Sequence, residues 1–197
     1  MGGTMTAEPV HRWHRPPVGG YTVDDLLTLP DLPPHTELID GSLVFVSPQK
    51  EFHSLMIFLL DVGLRATVPD AYRVRREMAV VLDERNAPEP DLCVVKADAV
   101  GLGRTRYAVE DVLLAVEVVS PDSEARDRDT KPHKYARAGI EHYWLVDASE
   151  GWHHPVVQVF ELDHDKRVYN LAGVYHDRLV LSRPFPVEID LTAIDQL

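Results

Sequence analysis

The run Val-Leu-Leu-Ala-Val-Glu-Val-Val at residues 112–119 contains one charged side chain, Glu117. A carboxylate buried there without a partner is energetically costly, so Glu117 must meet a cation, take up a proton, or stand where the chain emerges into a cleft. Ser120-Pro121 ends the run immediately afterwards, which favours the cleft. Asp91 opens a second apolar run, DLCVVKA, directly behind Pro88-Glu89-Pro90. By itself such an aspartate is turn chemistry. Paired with Glu117 from a neighbouring strand end, it would make a hard-oxygen site suited to Mg²⁺ or Mn²⁺, ions that keep waters and accept phosphate oxygens. An ion held there can acidify a water and neutralise charge on a phosphodiester. A lysine close by would complete the set by orienting or deprotonating the attacking water. Lys131 is the candidate, with Asp127 and Tyr135 four residues to either side on one helix face.

These residues need particular elements to position them. Val112 to Val119 reads as a central strand buried on both faces, and DLCVVKA and HYWLVD as further strands. A polar stretch after Pro121 leads into a helix around Thr130 to Ala138, closed by Gly139 as a C-cap. Proline is tolerated only in a helix's first turn, so Pro132 places Lys131 near that helix's N-terminus. Upstream, Thr22 with Asp25 forms a capping box for a short helix ending before Pro30, and Asp40-Gly41 is a type I′ hairpin signal. Phe52, Leu55, Met56, Leu59, Leu60 and Leu64 have the spacing of an amphipathic helix over Lys50 to Thr67. YRVRREMAVVLD begins as an alternating strand, with Arg73 and Arg75 on one face. From Val156 the chain reads as strands and turns that could form an edge hairpin or a self-association surface. The sum is an α+β (α/β) single domain over residues 21–197: a mixed β-sheet flanked by helices, behind a disordered tail at residues 1–20.

Composition narrows the setting. The 197 residues suit one domain, and no apolar run is long enough to span a bilayer or to act as a secretion signal. A single cysteine, Cys93, excludes an internal disulfide and fits a cytoplasmic location. Cys93 lies in an apolar strand and reads as packed rather than reactive, and Trp144 as core. The adjacent pair His153-His154 has no zinc spacing and is given no metal role. Twenty basic against thirty-two acidic residues give a net charge of −12, which repels phosphate overall. A nucleic-acid partner would need a local basic track, for which Arg73, Arg75, Arg76, Arg126, Arg128 and Lys134 are candidates.

One family carries these motifs in the same order. E-L-I-D-G from Glu37, Ser47-Pro48 followed by His53, Pro90-Asp91, E-V-V-S-P from Glu117, D-x-x-x-K-x-x-x-Y-x-x-x-G-I from Asp127, and Y-W-L-V-D from Tyr143 together resemble the Uma-two family. That family is a bacterial branch of the PD-(D/E)XK restriction-endonuclease-like nucleases. The resemblance implies a restriction-endonuclease-like fold and divalent-metal-dependent hydrolysis of phosphodiester bonds in DNA. It matches Asp91 to the aspartate of the P-D motif and Glu117 to the acidic residue of (D/E)XK, both as metal ligands. Two residues on, the motif's lysine is absent, because Val119 stands there. In this family the lysine is thought to have moved to the following helix, where Lys131 is in the matching place. Glu37 matches the glutamate of Y-E-L-I-D-G, with Thr36 in place of the tyrosine, and His53 the histidine after S-P. The resemblance implies that both approach the metal site, as an extra ligand and a group positioning water or phosphate. Pro132, His133 and Lys134 depart from the apolar residues expected after the lysine. A homodimer is expected of an enzyme that cuts both strands. The alternative is a catalytically silent nuclease-fold protein that binds nucleic acid or a protein partner, which the broken motif and the acidic balance both favour.

Overall fold

The computed structural model describes residues 16–148 and 154–197. The tail expected over residues 1–20 therefore falls, up to residue 15, outside the described residues, as does His153. A capping box at Thr22 opens helix α1 (Val23–Thr28), with the Asp25 side chain accepting from the Thr22 backbone N–H. Strands β1 (Glu37–Ile39) and β2 (Ser42–Val44) form the expected hairpin, with Asp40 and Gly41 at φ 50° and 72° in the turn. Helix α2 (Glu51–Thr67) follows, then β3 (Tyr72–Arg76), β4 (Ala79–Val81), β5 (Leu92–Lys96), β6 (Arg106–Ala108) and β7 (Val112–Val118). Helix α3 (Lys131–Ala138) leads to β8 (His142–Ala148), β9 (Pro155–Asp163), β10 (Val168–Tyr175), β11 (Arg178–Leu181) and β12 (Val187–Asp190).

Six strands form the main sheet in the order β10-β9-β8-β7-β5-β3. Strands β7 and β8 are parallel and joined through α3, while the other neighbours are antiparallel. The nearly unbroken apolar sequence of β7 follows from burial of both its faces. Leu114, Val116 and Val118, with Leu92, Val94, Trp144 and Val146, pack toward α2 and the β11–β12 hairpin. Ala115 and Val119, with Cys93, Val95, Tyr143 and Leu145, pack toward Tyr135 of α3 and toward Tyr107 and Val80. Glu117 shares this second face by strand alternation. The expected edge hairpin is β9–β10, and β10 exposes Leu171 and Val174.

Two elements differ from the sequence reading. The strand begun at Tyr72 breaks at Glu77, which turns to φ 49° and donates its N–H to the Asp91 carbonyl at 3.1 Å. Val81 and its neighbours then pair in parallel with β6 in a separate small sheet. The buried stripe of α2 is also rotated: His53, Met56, Ile57, Leu60 and Leu64 are buried, and Phe52, Leu55 and Leu59 sit at its margin. His53 thus lies on the buried face of α2.

Gly63 of α2 lies close against the β12 strand. A Cβ there would stand 2.4 Å from the Ile189 Cγ1 atom. Gly63→Leu is therefore expected to destabilise the fold by about 2–3 kcal/mol, by overpacking, although leucine is the better helix former. Urea denaturation checks this, and an unchanged midpoint would show that Ile189 moves aside freely.

Candidate active site

The site lies where β5 and β7 meet the segment entering α3. Asp91 directly precedes β5, and its Oδ2 accepts the Val118 backbone N–H at 2.7 Å, which fastens it beside Glu117's strand. After β7, Ser120 and Ser123 exchange hydrogen bonds that close the turn at Pro121. Residues 126–130 then form a π-helical turn that runs straight into α3. Lys131 is the first residue of α3, as the sequence predicts, and the π-helical turn continues the helical path on its N-terminal side. The wider turn accommodates Pro132, which has no N–H to donate. Gly139 ends the helix in the left-handed conformation at φ 98°, as the sequence predicts. The Tyr143 hydroxyl donates to the Asp127 carbonyl at 2.7 Å and ties the π-helical turn to β8.

The five residues singled out from the sequence come together. Lys131 Nζ is 2.9 Å from Glu117 Oε2 and 2.9 Å from Glu37 Oε1. Glu37 Oε1 also accepts the Glu89 backbone N–H at 2.8 Å, so the β1 strand is anchored to the Pro-Glu-Pro turn through this carboxylate. His53 Nε2 lies 3.2 Å from Asp91 Oδ1. Two further residues, which the sequence places on the same helix face as Lys131, belong to the same cluster. Tyr135 donates its hydroxyl to Glu117 Oε1 at 2.6 Å, and Asp127 Oδ1 lies 3.3 Å from Lys131 Nζ. Their spacing of four residues about Lys131 was the available signal.

Burial sets the electrostatics. Glu117, Glu37, Asp127 and Lys131 are all buried. Burial pushes the Glu117 carboxyl well above the usual carboxylate range, with Lys131 only partly opposing and Asp127, Asp91 and Glu37 adding to the rise. Burial likewise raises Asp127, against the pull of Lys131. Burial alone would lower the Lys131 ammonium, but Glu117, Glu37 and Asp127 outweigh it and hold the ammonium charged well above its ordinary value. Lys131 is therefore a fixed cation rather than a base that gives up its proton near neutral pH. Cys93, by contrast, is a buried thiol pushed up to about 12 by desolvation, consistent with a packing role.

Four carboxylates around one ammonium leave an excess of negative charge, and Asp127 Oδ1 accepts no hydrogen bond among the described residues. This donor set fits a hard divalent cation. No three His, Cys, Asp or Glu side chains among the described residues form a ready-made cage. Mg²⁺ does not require one, because it is commonly held by one or two carboxylates with waters and phosphate oxygens completing its shell. The space beside these residues is about 40 Å³ and partly open, enough for an ion with a few waters. A wider cleft shares Asp91, His53 and Glu89 with it and opens between His35 and the 46–49 loop.

The candidate basic track does not assemble here. Arg128 pairs with Glu124 and Asp147, and Lys134 with Asp40. Arg73 and Arg75 donate to nearby backbone carbonyls on β3 at the sheet edge. Arg126 alone of those six lines the cavity.

A central mixed sheet with helices on both faces, carrying acidic residues at adjacent strand ends, defines a nuclease-like fold. Similar in structure is "a putative nuclease belonging to DUF820 from Anabaena variabilis", with a TM-score of 0.66 and 17% identity over 89% of this chain and 97% of that one. At the level of sequence, the model of the Uma2 family, described as "Putative restriction endonuclease", matches residues 23–193, and the chain belongs to that family. No curated protein matches significantly. Among the described residues, no helix is long and apolar enough to cross a membrane.

Proposed function

We propose that this protein hydrolyses phosphodiester bonds in DNA, using Mg²⁺ or Mn²⁺ held by Asp91 and Glu117. The observation that carries the reading is the cluster of buried carboxylates around Lys131, an arrangement that costs stability and therefore calls for a function. When bound, the ion would polarise the phosphodiester and acidify a water. Lys131 holds Glu117 and Glu37 in place and keeps part of their charge compensated. Tyr135 fixes the rotamer of Glu117 by its hydrogen bond, and His53 orients Asp91 through its Oδ1 atom. A homodimer, which would set two such sites on opposite strands, belongs to the same proposal.

Supercoiled plasmid incubated with Mg²⁺ or Mn²⁺ tests the reading, comparing wild type with Glu117→Gln and Asp91→Asn. Nicking by wild type that falls at least about a hundredfold in both variants is the expected outcome. Equal nicking by all three proteins would place the activity elsewhere. The net charge of −12 favours the second reading, a silent nuclease fold that binds a partner, and that reading predicts no metal-dependent cleavage by wild type.

A further inference from the structure

A phosphodiester drawn into this cavity has to be met by a cation from the protein, and Lys131 is already committed. Its ammonium is surrounded by Glu117, Glu37 and Asp127. His53, the other basic side chain inside the Asp91 corner, faces Asp91. Among the described residues lining the cavity, one guanidinium remains: Arg126. It is half-buried, makes no ion pair among the described residues, and its Nε is buried with no hydrogen-bond partner. A buried guanidinium N–H with no acceptor is unusual in a native fold and costs stability. Its neighbour Arg128, exposed two residues on, is paired with Glu124 and Asp147, so acidic partners for an arginine are at hand in this segment.

The position of Arg126 follows from local structure. It opens the π-helical turn immediately before Asp127, whose backbone N–H is held by the Ser123 carbonyl at 2.9 Å. The turn is pinned through the Tyr143 hydroxyl as well, so the guanidinium is presented from a rigid support. A guanidinium offers a planar set of donors that matches two oxygens of a phosphate, whereas an ammonium acts as a point charge.

We propose that Arg126 is the substrate-binding residue of this site, receiving the non-bridging oxygens of the phosphodiester beside Asp91 and Glu117. The proposal rests on the nucleic-acid reading above, and it deepens that reading by assigning the phosphate contact to one side chain.

Arg126→Gln and Arg126→Lys test it in the full chain. The expected result is a fall of about tenfold to a hundredfold in plasmid nicking for the glutamine variant, partly recovered by lysine. Thermal stability should be unchanged or higher, because an unpaired buried donor has been removed. Binding of a short DNA duplex in Ca²⁺ should lose about one unit of the slope of log affinity against log salt. Equal nicking and equal salt slopes in wild type and the glutamine variant would overturn the assignment. If wild type neither nicks nor binds duplex, inorganic phosphate replaces DNA as the probe, followed by ³¹P line broadening on titration with protein. Phosphate capture lost in Arg126→Gln then upholds the assignment while the DNA reading falls. Phosphate capture that is absent from wild type, or equal in the two proteins, overturns the assignment as well.

Discussion

Lys131→Met is expected to destabilise the protein by about 3–5 kcal/mol, the largest loss predicted for any single side chain of the site. Methionine nearly conserves the volume while removing the charge and the N–H donors, including the one to Glu117. Glu117, Glu37 and Asp127 would then face one another without the ammonium that stands 2.9, 2.9 and 3.3 Å from them. The loss should grow with pH. Carboxyls whose folded values are raised keep their protons in the native state, so their contribution is fully present below the ordinary carboxylate value and disappears as pH rises through the raised one. Urea denaturation of wild type and variant in chelator, at pH 5 and pH 8, measures both effects. A variant as stable as wild type at pH 8 would mean that the lysine is not what balances this cluster.

Glu117→Gln should do the reverse. It is expected to stabilise the metal-free protein by about 1–2 kcal/mol at neutral pH while abolishing cleavage. Asp127 and Glu37 remain to pair with Lys131, and one excess negative charge is gone. The carboxamide oxygen can still accept from Lys131, and the Tyr135 hydroxyl can accept from the carboxamide N–H. Because burial raises the Glu117 carboxyl well above its ordinary 4.5, the wild-type protein loses stability as pH rises from that value upward. The glutamine variant lacks that contribution, so the gap between the two should widen from pH 4.5 toward neutrality. Added Mn²⁺ should raise the wild-type melting temperature and leave the variant's unchanged, since an ion bound only by the native state stabilises it by mass action. Destabilisation of the metal-free variant by more than about 1 kcal/mol would contradict the picture of an overcrowded carboxylate.

Stability measurement and activity measurement together separate two roles that a nicking assay alone would merge. Lys131 is expected to be needed for folding and for function, whereas Glu117 is needed for function at the expense of folding. The double variant Lys131→Met with Glu117→Gln should recover part of the stability lost in the lysine variant, because the two side chains are in direct contact and their effects do not add.

The sequence by itself determined the central strand, the helix after it, and the chemistry that could live between them. A lone glutamate in an apolar run, a turn-bound aspartate and a lysine flanked by aspartate and tyrosine at helical spacing were readable, because burial cost and helical period are local rules. Hairpin, capping box and glycine C-cap were legible for the same reason: each depends on a few adjacent residues. Tertiary structure alone decided how the charges were distributed. Whether Lys131 is a mobile base or a fixed cation depends on Glu37, ninety-four residues earlier in the chain, packing beside Glu117 from a different sheet. The apolar spacing of α2 did not include His53, which is buried because the helix stripe is rotated by its packing against the sheet and the terminal hairpin. The strand after Tyr72 broke at Glu77 because of a hydrogen bond to Asp91, which no local pattern encodes. The candidate basic residues dispersed in the same way: Arg128 and Lys134 pair with carboxylates and Arg73 and Arg75 with backbone carbonyls, while Arg126 lines the cavity with a buried Nε that has no hydrogen-bond partner among the described residues. Periodicity is written along the chain, but the balance of buried charge is a property of what long-range packing brings together.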